Sequence, residues 1–173
     1  WYLEFGQELR ASLYVGQDFK GSQQIYIPER FTDFDLFGPT NTTPFKGRIG
    51  DRPAGQIIPK ETGLHIIRHS TTNDNIRYSN LKQIEDFTFS KGWPSAAERH
   101  RQRGLPTEGF VEHYRRYAKS LVAVGSSLGS DRDLGLDVEI IALDNPFLTK
   151  GDLLKLQVNQ DGIPWTNAQV TVF

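Results

Sequence analysis

The chain has 173 residues, of which 37% are hydrophobic and 24% are charged, and its formal net charge is -1 at pH 7. This balance is typical of a folded globular protein, and it supplies no overall positive field that would attract nucleic acid or an anionic membrane. Cysteine is absent, which excludes disulfides, thiolate metal sites and cysteine nucleophiles.

Alternating apolar residues predict short strands through the first half of the chain. Residues 9–15 alternate as a half-buried strand, and residues 24–27 form a shorter second one. Residues 31–37 alternate again, with Phe34 and Leu36 on one face. The range 38–59 is rich in Gly, Pro, Asn and Thr, which predicts loops around short strands. The next predicted strand covers residues 64–69.

Two helices are predicted in the second half, within an inserted helical segment at about 95–124 that would pack on the sheet. A short polar helix is expected over about 95–103, ended by Gly104. A longer amphipathic helix is expected over 107–125. Its apolar residues are spaced by four, three and four, which predicts one buried side. These residues are Phe110, Tyr114, Tyr117 and Leu121.

The pattern returns to strand at residues 138–142 and restarts after a turn at 144–146. Residues 154–158 and 168–172 alternate, with Asp161 and Gly162 as a hairpin signal between them. The fold class is therefore mainly β. It comprises a β-sandwich domain over residues 1–143 with the inserted helices, and the incomplete beginning of a second β-sandwich over 144–173. The alternative is that these last strands complete the first sheet.

Nine groups of residues resemble a known family, in the family's own order. They are residues 1–4 (WYLE), 16–17 with 19–21 (GQ, FKG), 50–54 (GDRPA), 63–64 (GL), 114–121 (YRRYAKSL), 134–140 (LGLDVEI), 145–147 (NPF), 161–164 (DGIP) and 168–172 (AQVTV). Together they resemble the envelope proteins known as the domain of unknown function 4198. The resemblance spans nearly the whole chain.

The resemblance implies a secreted, mostly periplasmic bacterial protein with a signal peptide, built from Ig-like and transthyretin-like β-sandwich modules. Some members are labelled as nickel-uptake components. Many members carry a His just before the aromatic pair that matches Trp1 and Tyr2, and this sequence begins after that point. We expect any signal peptide or anchor to lie outside this numbering, since no apolar run here approaches the ~20 residues that span a bilayer.

A divalent transition metal is the sharpest ligand hypothesis, and its candidate ligands are the four histidines: His65, His69, His100 and His113. His65 and His69 are predicted on one strand, where four residues span about 13 Å, too far for both to bind one ion. On the predicted long helix, His113 has neither a carboxylate nor a second imidazole one turn away. Each histidine is alternatively a surface or packing residue.

The acidic residues of 131–139 weakly suggest calcium. However, Gly135 stands where an EF-hand loop needs an oxygen ligand. Asp137 and Glu139 are better interpreted as the outer face of a strand. Calcium therefore remains a minor alternative.

A basic surface near Trp93 is the candidate for partner binding. It combines the run Arg99, His100, Arg101 and Arg103 with Arg115, Arg116 and Lys119, and we assign partner binding to Trp93 and the last three. Nearby glutamates neutralise much of it, so nucleic acid is not an expected partner. The sequence contains no GxSxG nucleophile elbow and no phosphate-binding glycine loop. These absences, together with the family resemblance, predict a non-enzymatic protein that binds a ligand or a partner. The resemblance further implies a periplasmic location and a role as an accessory component of nickel, cobalt or copper uptake in a membrane transport complex. The alternative is a structural or assembly subunit of a membrane-associated complex or filament.

Overall fold

The computed structural model of the chain describes residues 1–17 and 20–172. Its strands are β1 Tyr2–Leu3, β2 Leu9–Ala11, β3 Leu13–Gln17, β4 Lys20–Gln24, β5 Phe31–Phe37, β6 Thr42–Pro44, β7 Gly55–Ile57, β8 Gly63–Thr71, β9 Asp74–Asn80, β10 Glu108–Tyr114, β11 Tyr117–Val124, β12 Val138–Ala142, β13 Leu156–Gln160 and β14 Ile163–Pro164. The helices are α1 Leu81–Ser90 and α2 Ala96–Gln102. Phe19, cited for the family resemblance, and Phe173, the end of the predicted second domain, lie outside the described residues.

A five-stranded sheet is the main layer of the first compact unit, which contains residues 1–72 and 116–166. Its strand order is β1-β11-β8-β5-β6, and the central strand β8 pairs antiparallel with both β11 and β5. β8 is buried along most of its length, as expected for a strand that is covered on both faces.

A hydrophobic core joins this sheet to the short antiparallel pair β2–β7. Alternate residues of β2 and β5 point into it, so the period-two pattern of the sequence is realised in both strands. The buried members are Leu9, Ala11, Tyr26, Phe34, Leu36, Phe45, Ala54, Val122 and Val124. The predicted mainly-β fold with a β-sandwich is confirmed.

A separate three-stranded sheet has the order β12-β13-β14. It joins β12, which precedes the predicted boundary between residues 143 and 144, to two strands that follow it. Asp161 and Gly162 have φ angles of 50° and 75° and link β13 to β14, so the predicted hairpin is confirmed. The strand predicted at 168–172 is wrong, because no strand forms there. The second sandwich over 144–173 stays a prediction.

The second compact unit contains residues 73–115 and 167–172, and most of it is inserted in the chain between β8 and β11. β9 and β10 form an antiparallel ribbon, and both helices lie in the connection between these two strands. A small core holds Tyr78, Leu81, Ala97 and Phe110. We call this the inserted unit.

The long helix predicted over 107–125 is wrong, and so is an inserted helical segment reaching residue 124. These residues form β10 and β11, which are separated at Arg115 and Arg116. A spacing of four is one helical turn, but it is also two strand repeats. Only the step of three, from Tyr114 to Tyr117, favoured a helix, and that step falls at the break between the strands.

Helices α1 and α2 differ in whether the sequence predicted them. The short helix at about 95–103 is confirmed as α2, which ends just before Gly104. α1 was not predicted, although its signals are present. Asn80 caps it by accepting a hydrogen bond from the Gln83 backbone N–H, and the Gln83 side chain accepts one from the Ser79 N–H.

Two further strand predictions needed correction. The single strand expected at residues 9–15 is two strands, β2 and β3, which belong to different pairs. The strand expected at 24–27 lies earlier in the chain, as β4, where it pairs with β3.

Candidate functional site

His65 lies on the central strand β8 and is buried, with 2% of its surface exposed. Its Nδ1 is 3.0 Å from the carbonyl oxygen of Gly63. A carbonyl oxygen only accepts hydrogen bonds, so Nδ1 is the donor in this contact. In a neutral ring with this tautomer, Nε2 keeps its lone pair. Hydrogen bonding of this kind fixes the tautomer of metal-binding histidines.

The His65 side chain lines a pocket of about 300 Å³, which we call the His65 pocket. Gly38 makes room in it. A Cβ at residue 38 would lie 2.5 Å from Glu61 Oε2 and 3.1 Å from His65 Nε2. The imidazole nitrogen and the carboxylate oxygen therefore converge on one point, and that point is open only because residue 38 is glycine.

Glu61 is held in this position by the turn that links β5 to β6. Its Oε2 accepts from the backbone N–H groups of Thr40 and Asn41 at 3.2 and 3.3 Å. Its Oε1 accepts from the Thr40 hydroxyl and from the Asn41 side-chain amide. The Thr40 hydroxyl bond, together with the other donors, lowers the pKa of Glu61 from its ordinary value. Glu61 therefore supplies a fixed negative charge at neutral pH.

His69 lies on the same strand but in a different environment. Its ring lies edge-on to Phe31 and Phe34, at centroid distances of 4.8 and 5.2 Å, and its Nδ1 is 3.1 Å from the Asp33 carbonyl oxygen. Burial lowers the pKa of His69, which favours the neutral ring. This geometry is that of a packing residue.

The remaining histidines lie in the inserted unit. His113 is exposed on β10, a strand rather than the predicted helix, and it pairs across the ribbon with Asn75. His100 lies on α2, with Nε2 2.6 Å from the Pro106 carbonyl oxygen and its ring 4.5 Å from that of Phe110. The geometry thus places the four predicted metal ligands in separate environments, and their role as metal ligands stays a prediction.

Lys119, predicted as part of a basic surface, is instead buried in the first unit. Its ammonium group lies 2.7 Å from both Asp131 Oδ1 and Glu139 Oε1, and its side chain is only 9% exposed. Glu139 also accepts from the backbone N–H groups of Leu134 and Leu136. We call Lys119, Asp131 and Glu139 the Lys119 cluster.

This cluster explains the acidic series that weakly suggested calcium. The cation between the two carboxylates is the protein's own ammonium group, which holds the 131–137 loop against β11 and β12. Glu139, which was interpreted as an outward-facing residue, is in fact buried at 2% exposure. Asp133 accepts from the Gly135 N–H and from the Asn159 amide, and both bonds lower its pKa.

Asp33 and Asp35 both form an ion pair with the same side chain, Arg68. Both carboxylates lie within 2.9 Å of Nη2 of Arg68 on the neighbouring strand, and the other arm of that guanidinium donates to the Leu134 carbonyl. This arrangement was not predicted, because the alternation of Asp33 and Asp35 is also typical of solvent-facing residues.

The other predicted partner-binding residues are divided between the two units. Trp93 lies in the inserted unit and is 50% exposed. Arg115 is the last residue of the 73–115 segment of that unit. Arg116 belongs to the first unit, where its backbone N–H donates to the Thr71 hydroxyl. Arg99, which was predicted as part of the basic surface, does lie beside Trp93, with its guanidinium 4.8 Å from the ring centroid.

Within residues 1–17 and 20–172, no group of three or more His, Cys, Asp or Glu side chains could hold a metal ion. In the same residues, no helix is both long and apolar enough to cross a membrane.

The model of the domain of unknown function DUF4198 matches residues 2–173, essentially the whole chain. The chain belongs to the DUF4198 family. No curated protein and no solved structure matches it. The function of this DUF4198 protein must therefore be argued from its own geometry.

Sequence reasoning missed Glu61 as a site residue for this DUF4198 protein. A lone glutamate in a loop carries no motif, and its partners Thr40 and Asn41 lie about twenty residues earlier. Gly38 offered no signal either, since its value lies in the space it leaves for side chains from other segments.

Proposed function

We propose that this protein is a non-enzymatic binding protein of the bacterial periplasm or cell envelope, and an accessory component of nickel, cobalt or copper uptake. The location and the uptake role are what the family resemblance implies. The observation that supports a binding site is the orientation of His65. Its Nδ1 proton is held by Gly63, which leaves the Nε2 lone pair beside the Glu61 carboxylate in a pocket.

The ligand we propose is a small complex of the metal rather than the bare ion. The pocket brings together one imidazole and one carboxylate, whereas protein sites for bare transition metals commonly use three or four ligands. Glu61 also already accepts four hydrogen bonds. His65 is therefore the direct ligand, and Glu61 contributes charge. A small chelator fills the remaining positions on the metal.

Isothermal titration calorimetry of the whole protein tests this proposal, with nickel, cobalt, copper and zinc given as chlorides and as citrate complexes. We expect the complexes to bind more tightly than millimolar. Gly38→Ala should weaken binding by at least about tenfold, because its Cβ would fill the point between Nε2 and Oε2. This substitution keeps both side chains, but its Cβ would displace the Glu61 carboxylate and press on His65 Nε2 at 3.1 Å.

The matched control is His113→Gln, which removes an exposed imidazole from the inserted unit. It should leave the affinity unchanged. If no metal form binds more tightly than millimolar, the metal part of the proposal is wrong. If His113→Gln weakens binding as much as Gly38→Ala, the metal binds elsewhere.

A specific observation also favours the structural or assembly role. The first unit has a largely apolar groove of about 540 Å³. Partly exposed side chains in the three-stranded sheet and next to it border this groove. Val138, Ile140, Leu154 and Leu156 are between 37% and 47% exposed. Exposed apolar surface of this kind is typical of contacts with another protein.

Sedimentation velocity at micromolar concentration tests that second candidate. A self-associating subunit should sediment as a dimer or larger, and Ile140→Asp should return it to a monomer. A monomer at every concentration, with no companion retained from native membranes, would exclude the assembly role.

A further inference from the structure

Two arginines on one side of α2 are the basis of a second binding site, in the inserted unit. Arg99 and Arg103 are four residues apart, so one helical turn separates them and they lie on the same side of the helix. Both line a cleft of about 470 Å³. We call it the Trp93 cleft, and its other lining residues include Trp93, His100, Phe110 and Glu112.

The positive charges of these two arginines are not neutralised by any carboxylate in the part of the chain that the structure describes. The nearby acids of the helices serve a different arginine: Arg101 binds Glu85 and Glu98, and Gln102 also donates to Glu98. Arg101 is thus neutralised by two carboxylates, while Arg99 on α2 and Arg103 at its C-terminal end line the cleft without an ion pair.

The remaining walls of the cleft are aromatic and apolar. Trp93 is half exposed with Arg99 stacked over its ring at 4.8 Å, so one face of the Arg99 guanidinium is covered while its N–H edges remain able to donate. His100 and Phe110 also line the cleft, with their rings 4.5 Å apart, and Phe110 is a buried ring that stacks on Tyr78. The half-exposed indole of Trp93 is therefore the aromatic surface that favours a flat ligand.

Glu112 restricts the charge of that ligand. It lines the cleft and holds a hydrogen bond of 2.7 Å from the Tyr78 hydroxyl. A negative group on this wall disfavours a highly charged anion such as phosphate, whereas two guanidinium groups still favour a single carboxylate. A carboxylate also matches the planar, bidentate donor geometry of arginine.

We propose that the Trp93 cleft binds a small aromatic carboxylate, with its carboxylate on Arg99 and Arg103 and its ring against Trp93. A volume of about 470 Å³ lies within the range of small-molecule sites. This site is independent of the His65 pocket, since the lining residues of the two belong to different units.

The test is ligand-observed NMR and calorimetry on the full chain, with 2-naphthoate as the probe. The comparison compounds are 2-naphthamide, which has the same shape without the charge, cyclohexanecarboxylate, which is not flat, and inorganic phosphate. We expect 2-naphthoate to bind at least about tenfold more tightly than 2-naphthamide, since a hydrogen bond to a charged group is worth roughly that factor or more. It should also bind more tightly than cyclohexanecarboxylate and phosphate, which have no aromatic ring to stack on Trp93.

Arg103→Gln should weaken 2-naphthoate binding at least about tenfold, and Trp93→Leu should abolish the preference for a flat ring. Both side chains are exposed, so neither substitution removes a core residue. Arg101→Gln is the matched control on the same helix, and it should change the affinity by less than about threefold because Glu85 and Glu98 already neutralise Arg101.

Three results would overturn the proposal. They are an absence of binding at millimolar 2-naphthoate, equal binding of the amide or of phosphate, and an Arg101→Gln effect as large as that of Arg103→Gln. Circular dichroism of each variant shows whether the inserted unit is still folded, and Arg103→Lys should recover part of the affinity if the cation itself is needed.

Discussion

The two compact units of this protein differ in whether particular cationic side chains are paired with carboxylates. In the first unit, Lys119 and Arg68 are enclosed by carboxylates and backbone carbonyls, and each fixes a loop or a strand. In the inserted unit, Arg99 and Arg103 line an open cleft without an ionic partner among the described residues. Charges that are satisfied internally support the fold, whereas charges that face a cleft remain available to a ligand.

The largest expected effect lies in the Lys119 cluster. Lys119→Met should destabilise the protein by about 3–5 kcal/mol, because it leaves Asp131 and Glu139 buried without their cation. Urea denaturation measures the change. The control is Lys82→Met, which removes an exposed pair with Asp86 and should cause no measurable loss. If Lys119→Met is as stable as the parent protein, the cluster does not stabilise the fold.

The next effect should be confined to the inserted unit. Leu81→Ala removes a buried side chain from its small core, at a cost of about 2–5 kcal/mol to that unit. Hydrogen exchange should show lost protection in β9 and β10, while β5 and β8 keep theirs. Equal loss of protection in both units would mean that they unfold together.

The same contrast explains how far the sequence could be interpreted. Strands β5, β8 and β12 were predictable because each alternates or is continuously apolar within bounded segments. Strands β10 and β11 were mispredicted as one helix because Phe110 and Tyr114 are four residues apart, as are Tyr117 and Leu121. That spacing is shared by one helical turn and two strand repeats. Only pairing with β9 and β8 decides between the two structures.

The candidate sites were less predictable than the strands, for a physical reason. The His65 pocket depends on Gly38 and Glu61, which come from two loops and carry no local pattern. Lys119 looked like a surface cation because the sequence does not show that Asp131 and Glu139 fold over it. Local periodicity correctly predicted the buried face of β5 but not that of β12, where Glu139 is buried and Val138 and Ile140 are exposed, and it does not show which loops converge on a face.

A smaller effect separates the two helices of the inserted unit. Asn80→Ala should cost about 1 kcal/mol, since its side chain accepts the Gln83 N–H at the start of α1. The matched control is Ser95→Ala. Ser95 stands at the same position of α2 but makes no side-chain capping bond, so its removal should cost much less. Thermal denaturation of both variants measures the difference, and equal losses would refute the capping role of Asn80.

The smallest expected effect is a pH dependence in the sandwich core. Burial holds the folded-state pKa of His69 below its ordinary value of 6.5, so the unfolded chain binds the proton more readily between those two values. The contribution of His69 to stability is therefore complete above pH 6.5. This contribution decreases as the pH is lowered below 6.5, because the unfolded state then binds a proton more readily than the folded state does. His69→Phe, a replacement that suits the neighbouring Phe31 and Phe34, should flatten the slope of unfolding free energy between about pH 5 and 7. Urea titrations across that range measure the slope, and the exposed His113→Gln variant should retain it. If His69→Phe keeps the parent slope, protonation of this ring does not couple to folding, and its burial in the core stabilises the sheet through packing alone.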